Sequence, residues 1–346
     1  MTTGVKTSQE APAGPLTGAE LVRIVQNGGN AKATTGAMAG LAYGVMPRTF
    51  GAVGDGVTDD TAAVQAAIDS LPNGGVVNCS GGRWLIDSAD LIVKKGVTLW
   101  GPWLNLGEPD GQDYSNIQSA FIVNPLYTIR LAQEFSAIEG MGIFRKGLTT
   151  PTDATTALAA IAAFAGTAIT VGYGVSKDAS DTYVGNCLVL GFEYAYYNDY
   201  NERPRIEYLS ADCTNGLYLN RVYDMCHVNK CHLWPFVTAH RAWTLTLDIW
   251  RRQGVGYYLN LDVDWGQASE CFDYGHDVGY EISGSDNVVL LNCGSDNYKT
   301  NDTYSVGFYL HGDNQNINMI ACKSSSHYRN IKVDLTGVYT QAVKII

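Results

Sequence analysis

Gly216-Leu217-Tyr218-Leu219, Gly256-Tyr257-Tyr258-Leu259, Gly279-Tyr280-Glu281-Ile282 and Gly307-Phe308-Tyr309-Leu310 are four copies of one pattern: a glycine, then an apolar–polar–apolar alternation. Each copy is answered by a cysteine. Cys231, Cys271, Cys293 and Cys322 lie 15, 15, 14 and 15 residues after their glycines. A period-two run followed half a repeat later by a small buried residue describes one coil of a parallel β-solenoid. A single coil cannot bury its apolar positions except against its neighbours. The copies start 40, 23 and 28 residues apart, and a solenoid accommodates such unequal lengths by letting the extra residues leave as corner loops. The chain is therefore expected to be an all-β solenoid.

Composition agrees. Charged residues make up 16% of the 346 residues, against 38 glycines and 21 tyrosines, which is a turn-rich β composition. The net charge of −11 argues against a nucleic-acid partner, because no basic cluster exists to displace counterions from phosphates. It is compatible with glycans, which are held by stacking and hydrogen bonds. The eight cysteines follow apolar runs, with no signal peptide ahead of them, and read as reduced core residues. Cys226-His227 and Cys231-His232 invite a zinc reading, but closed zinc sites use tighter paired spacings and strand alternation scatters these side chains. No metal and no cofactor is expected. The uncharged stretch 154–176 is long enough to span a bilayer, yet it is mostly Ala, Thr and Gly and is interrupted by Gly166 and Gly172. It reads instead as a short buried helix begun by Asp153 and a strand over Thr167–Val171, with no membrane insertion.

Residues 1–46 differ from the rest, with few aromatics and one amphipathic run, Glu20 to Gln26, ahead of Asn27-Gly28-Gly29-Asn30. That predicts strand, tight turn, strand, too small to own a core. At Phe50 to Asp60 a glycine-rich turn leads into a helix over 61–71, whose Val64, Ala67, Ile68 and Leu71 share one face. Asp59 and Asp60 are placed to cap its free N–H groups. The run 54–60 lacks the lysine of a phosphate loop and the spaced ligands of a calcium loop. Short strands are predicted at 76–79, 84–86, 91–93 and 97–100. A helix set before the first coil can cover the open end of the solenoid.

Phe50-Gly51-Ala52-Val53-Gly54-Asp55-Gly56-Val57-Thr58-Asp59-Asp60-Thr61, the helix, Gly74-Gly75-Val76-Val77 and Gly82-Arg83-Trp84-Leu85-Ile86 closely resemble the start of the pectate-lyase-like right-handed parallel β-helix of phage tailspikes and related glycan-active proteins. Cys231-His232-Leu233-Trp234-Pro235-Phe236 and Asp262-Val263-Asp264-Trp265-Gly266 also look like tailspike coils. Residues 15–29 are similar to a short motif near the start of tail-fibre and tailspike proteins. The resemblance implies a right-handed parallel β-helix over 47–346 with an N-terminal capping helix, preceded by a small virion-anchoring segment, 1–46. It implies a homotrimer in the virion tail, made in the host cytoplasm, attached to tail or baseplate proteins through residues 1–46 and recognising host surface polysaccharide. Whether the chain also cleaves that polysaccharide stays open. So do a structural tail or head component in which the β-helix is an inactive spacer, and a free polysaccharide lyase or hydrolase.

Aligning the four copies yields a surface prediction. The residues one and three places after each glycine point inward. Tyr218, Tyr258, Glu281 and Tyr309 form an outward column, with Asn220, Asn260, Ser283 and His311 in the next. A sugar chain could stack its apolar faces on the tyrosines and bond its hydroxyls to the amides, with Trp265 nearby. The same tyrosines could instead pack against a neighbouring subunit or simply cover the sheet. Glycoside hydrolysis needs two carboxylates, about 5 Å apart for retention or about 6.5–9.5 Å for inversion. Asp224, Asp262, Asp264 and Glu281 are the candidates. A lyase would want a base beside a cation, and Arg221, Arg251 and Arg252 are in the region without an identified partner base.

Overall fold

The computed structural model describes residues 21–26, 29–34, 44–102, 114, 117–172, 178–239, 247–297, 304–336 and 343–346. Leu21–Gln26 and Gly29–Thr34 form an antiparallel hairpin, as the Asn-Gly-Gly-Asn turn predicts. From Val45, which bridges Val77 in parallel, the chain winds through three long parallel sheets. Sheet A holds ten strands, from Gly75–Asn78 to Lys344–Ile345, sheet B ten, from Asp55–Asp59 to Lys323–Ser325, and sheet C nine, from Leu91–Val93 to Arg329–Leu335. The chain visits the sheets in the order A, B, C, once per coil, so each strand pairs with its counterparts in the coils before and after it.

The register matches the alignment of the glycine-led copies residue for residue. Leu217, Tyr257, Tyr280 and Phe308 stand in one column of sheet C, and Leu219, Leu259, Ile282 and Leu310 in another. All eight are at most 2% exposed, so both columns face the core. Tyr257 and Tyr280 stack at 4.5 Å, and Tyr280 and Phe308 at 4.9 Å. The inward tyrosines also reach across the lumen. The Tyr257 hydroxyl donates to the carbonyls of Cys231 (2.9 Å) and Phe272 (3.1 Å), and that of Tyr280 to the carbonyl of Cys271 (2.9 Å). A buried phenol is tolerated because its hydroxyl finds an acceptor.

The cysteines mark the turn from sheet A to sheet B. Lys230, Glu270, Asn292 and Ala321, each just before a cysteine, have φ between 52° and 54°. One left-handed residue turns the corner at a cost of about 1 kcal/mol, while its N–H still joins the next coil, as from Glu270 to the Leu291 carbonyl (2.9 Å). The residue that follows points into the core corner. All eight thiols are free, and burial pushes Cys187 and Cys226 up to about 12. The signature glycines are explained by the opposite wall. A Cβ at Gly279 would lie 2.0 Å from Ser295 Oγ and 2.8 Å from the Gly307 carbonyl oxygen, and one at Gly256 would lie 2.4 Å from Asp273 Oδ1.

Helix α1 (Thr61–Asp69) places Val64, Ala67 and Ile68 in the main core. The expected caps are only partly realised. Asp59 Oδ1 accepts from the Thr61 N–H (3.0 Å), but the Asp60 carboxylate turns back to accept from Val53 (2.6 Å) and Gly54 (2.9 Å), closing the glycine-rich turn. Helix α2 (Ala154–Ala162) starts with a capping box between Asp153 and Thr156, and a strand follows at Thr167–Val171. No helix among the described residues is long and apolar enough to cross a membrane.

A second apolar cluster covers the outer face of sheet B, where Leu85, Ile122, Phe144, Leu188 and Leu190 meet Tyr114, Phe164, Phe236 and Val237 from the corner segments. Buried in it is an ion pair, Asp212 with Arg252 at 2.5 and 2.9 Å. The guanidinium also bonds Thr238 Oγ1 (2.9 Å) and the Ile249 carbonyl (3.2 Å).

Candidate functional site

The outward column of sheet C runs Thr170, Tyr197, Tyr218, Tyr258, Glu281, Tyr309, Lys332. Tyr218, Tyr258, Glu281 and Tyr309 are each partly exposed on this outer wall, where the alternation puts them. The rings do not, however, offer their faces to a sugar in the expected manner. Tyr197 and Tyr218 stack on each other at 4.7 Å and 2°, Tyr258 follows Tyr218 at 4.7 Å, and Tyr194 lies edge-on to both Tyr197 and Tyr218. Coil spacing is close to ring-stacking spacing, so neighbouring tyrosines satisfy one another and present edges and hydroxyls outward. Partial burial raises the phenols of Tyr194, Tyr197 and Tyr218 and pushes Tyr258 up to about 12, with Glu281 adding to the rise at Tyr258. They are neutral hydrogen-bond donors at physiological pH. A pocket of about 220 Å³ opens among Tyr194, Asn215, Tyr218, Val255, Tyr258 and Glu281.

Beyond Tyr258 the stripe becomes charged. Glu281 Oε1 lies 2.8 Å from His311 Nε2, and His311 stacks on Tyr309 at 4.4 Å. Tyr309 donates to Asp334 (3.2 Å), which also pairs with Lys332 (2.7 Å). Glu281 and His311 are thus brought together, with Ser283 Oγ 3.4 Å from His311 Nδ1.

Asn220 and Asn260 do not belong to this open surface. Both are buried, and they form a ladder in which Asn260 donates to Asn220 (3.0 Å) and Asn220 to Asp199 (2.8 Å). They stay on the outer side, as alternation places them, but stacked identical amides satisfy each other and are covered by Asp199 and by Tyr218, which also bonds Asn260.

The turn from sheet C to sheet A carries the other candidates. Leu261 and Asp262 are left-handed, at φ 47° and 62°, and expose Asp262. Trp265 is 61% exposed. Asp264 bridges Asp286 of the next coil in parallel, and its Oδ1 accepts from Asn287 (3.1 Å). Burial, then Asp264, Asp262 and Asp313, raises the Asp286 carboxyl above its ordinary range. The corner therefore sets Asp264 and Asp286 at bridged positions of adjacent coils, with the exposed Trp265 next to Asp264 in the chain. Asp286 escaped the sequence reading because corner residues follow no alternation.

Asp224 stands level with Asp264, since Cys226 pairs with Gly266, yet it is engaged elsewhere. Its carboxylate meets Arg203 at 2.9 Å, and that hydrogen bond lowers its pKa. Arg203 also bonds Asp181 and Glu202. The three arginines considered for a lyase are likewise taken: Arg221 by Asp199 (2.6 Å), Arg251 by Asp277 (2.6 Å) and Arg252 by Asp212.

Sheet B carries an aromatic platform that the sequence reading did not assemble. Trp234 lies 4.5 Å from Tyr274 and 6.1 Å from Trp250, and His232 packs on Phe272 (5.6 Å) and Phe236 (5.5 Å). The signal was present, because the residues one and three places after Cys231 and Cys271 are His232 and Trp234, and Phe272 and Tyr274.

Residues 45–188 match the family model described as rhamnogalacturonase A/epimerase, pectate lyase-like. From Val45 the chain is wound as a parallel β-helix, of which residues 45–188 resemble that family. This parallel β-helix is also similar to the enzymatically active domain of tailspike protein 2 from bacteriophage CBA120. The TM-score is 0.51 at 16% identity, over 92% of this chain and 48% of that one. The full-length form of a tailspike protein 2, from an Escherichia coli O157:H7 bacteriophage, aligns with TM-score 0.49 and 16% identity over 92% and 43% of the two chains. A stretch of 34 residues is 65% identical to depolymerase 1, capsule K30/K69-specific, of Klebsiella phage K5-2, which is 10% of this chain and 4% of that protein. The chain thus spans about half the length of the solved tailspike domain.

Proposed function

We propose that this protein is a phage tailspike or tail-fibre component whose β-helix recognises host surface polysaccharide along the outer wall of sheet C. The observation that carries this reading is the half-exposed stripe of Tyr197, Tyr218 and Tyr258 leading to the Glu281–His311 pair. Neutral phenol edges, a carboxylate and an imidazole in a continuous row suit a polyhydroxylated chain better than a protein core. Hydroxyls rather than ring faces make the contacts.

Cleavage is assigned to the adjoining corner. Asp264, kept polar by Asn287, serves as base or nucleophile, and Asp286, with its raised pKa, as general acid. Glycoside hydrolysis by two carboxyls needs one to give a proton while the other acts as base or nucleophile. Asp262 and Trp265 complete the corner, with Trp265 as a sugar platform. In the same reading the chain is a homotrimer in the virion tail, residues 1–46 attach it to other tail proteins, and helix α1 covers the N-terminal end of the stack. The tailspike and depolymerase similarities support this assignment.

The test is binding and digestion of purified capsular polysaccharides and lipopolysaccharides by the full chain. Y218A/Y258A is expected to lose binding, and D264N and D286N to bind but release no reducing ends. Binding by wild type and Y218A/Y258A alike would remove sheet C from the account. The near-parallel stacking of Tyr197 on Tyr218 favours a second reading, an inert spacer, in which no polysaccharide is bound or shortened.

A further inference from the structure

The outward column that carries the amides of Asn220 and Asn260 changes chemistry in the next two coils. Asn260 stands opposite Ser283, and Ser283 opposite His311. Glu281 lies two residues before Ser283 on the same strand and faces the same way. A hydroxyl, an imidazole and a carboxylate thus meet on the outer wall of sheet C, all three partly exposed. Ser283 Oγ lies 3.4 Å from His311 Nδ1, and His311 Nε2 lies 2.8 Å from Glu281 Oε1. Recognition of a glycan by the Glu281–His311 pair needs no serine there.

Both nitrogens of the imidazole are committed. With Nε2 protonated toward the Glu281 carboxylate, Nδ1 turns its lone pair to the serine hydroxyl, so the carboxylate selects the tautomer that can take a proton from Ser283. Tyr309 stacks on the ring at 4.4 Å and is itself tied to Asp334 (3.2 Å), which restrains the ring from the other side. A separation of 3.4 Å is longer than a strong hydrogen bond, as is common between a nucleophile and its base before substrate binds. Room is left in front of the hydroxyl. Gly312, the residue after His311, has φ 74°, and a Cβ there would lie 3.2 Å from Ser283 Oγ. Any side chain at that position would crowd the hydroxyl.

We propose that Ser283, His311 and Glu281 form a hydrolytic triad that removes an ester-linked acyl group from a sugar hydroxyl. Ser283 Oγ attacks the acyl carbon and its proton passes to His311. The bond from the acyl carbon to the sugar oxygen breaks, and His311 gives the proton to that oxygen. Water then attacks the acyl-serine while His311 takes its proton; the carboxylic acid leaves and Ser283 recovers its hydroxyl proton. Glu281 positions the ring and steadies the imidazolium, and the side-chain amide of Asn260, opposite Ser283 in the preceding coil, is placed to meet the oxyanion. The ester chemistry follows from the triad, while the choice of a sugar rests on the sheet C glycan reading above.

The test is hydrolysis of p-nitrophenyl acetate and release of acetate from an O-acetylated polysaccharide by the full chain, together with labelling by a fluorophosphonate. Wild type is expected to hydrolyse both and to carry the label on Ser283, located by mass spectrometry. S283A and H311N should each lose about a hundred-fold or more in kcat/KM, and E281Q should fall in kcat with KM unchanged. Equal turnover by wild type and folded S283A, or a label found only on other residues, would overturn the triad. The labelling is read on the wild-type protein, so it decides even where a variant fails to fold. p-Nitrophenyl acetate contains no sugar and reports on the triad whatever becomes of the glycan reading. Its hydrolysis with no acetate released from polysaccharide would overturn the sugar ester. Polysaccharide bound by wild type with neither ester hydrolysed sinks the triad alone.

Discussion

Replacing Arg252 with methionine should release the corner segments from sheet B while leaving the coils intact. Arg252 and Asp212 are each 1% exposed, and the guanidinium makes two contacts to the carboxylate plus bonds to Thr238 and the Ile249 carbonyl. In R252M the Asp212 carboxylate keeps the N–H of Val237 (2.7 Å) and loses its counter-charge. Removing one partner of a buried pair costs about 3–5 kcal/mol, whereas replacing both by apolar groups of similar volume is often neutral. At about 1.4 kcal/mol per decade, local opening should rise by roughly two to three and a half orders of magnitude. The β-helix is held by separate ladders, so the cost appears as local unfolding. Hydrogen exchange read by mass spectrometry should show lost protection in peptides covering 148–166, 234–239 and 247–251, with the coil strands unchanged. D212L/R252M should recover most of it. Unchanged exchange in R252M, or a double variant no better than the single, would refute this account of the pair.

Three further outcomes follow from the geometry. Gly279→Ala should lower the melting temperature, as an overpacking cost of about 1–3 kcal/mol. Adding Ser295→Ala should not restore it fully, because the Gly307 carbonyl remains 2.8 Å from the new methyl; full rescue would be the contrary result. Asp286→Asn should raise thermal stability at neutral pH. The folded-state pKa of Asp286 is raised above 3.8, so the ionised carboxylate is disfavoured in the fold and the native state binds the proton more readily than the unfolded chain. The gain from the amide should therefore shrink as pH falls through that raised pKa; a gain that grows in acid would contradict the assignment. Thiol titration at pH 8 should find Cys79, Cys187, Cys213, Cys226, Cys231, Cys271 and Cys293 unreactive in the native protein and all eight reactive in denaturant, since these seven are buried. Rapid native labelling of Cys271 would show the A–B corner to be open.

The stack itself was readable because period-two burial and a once-per-coil glycine are local signals. They place Leu217, Tyr257, Tyr280 and Phe308 in one column without any knowledge of distance in space. What escaped is what alternation does not govern. Asn220 and Asn260 bury each other in an amide ladder on the outer wall. The Tyr257 and Tyr280 hydroxyls meet carbonyls on the far side of the lumen, a contact across the coil that no local pattern encodes. Asp212 and Arg252 are 40 residues apart and meet because a corner segment folds back on sheet B. The site followed the same division. The Tyr218, Tyr258, Glu281 and Tyr309 column was legible, whereas Asp286 acquired its character from burial and from neighbouring carboxylates.

Between the strand His232–Leu233 in sheet B and the strand Arg252–Asn260 in sheet C, the chain makes an excursion, yet the pairing on either side is unbroken, with His232 opposite Phe272 and Leu217 opposite Tyr257. The ladders do not register how long the excursion is. Such a corner behaves as a cassette: segments of different length and chemistry can be exchanged there at little cost to the scaffold, because loop closure grows only slowly with length. A protein that must keep pace with a changing ligand can thus rewrite its recognition at one edge while inheriting the rest unaltered.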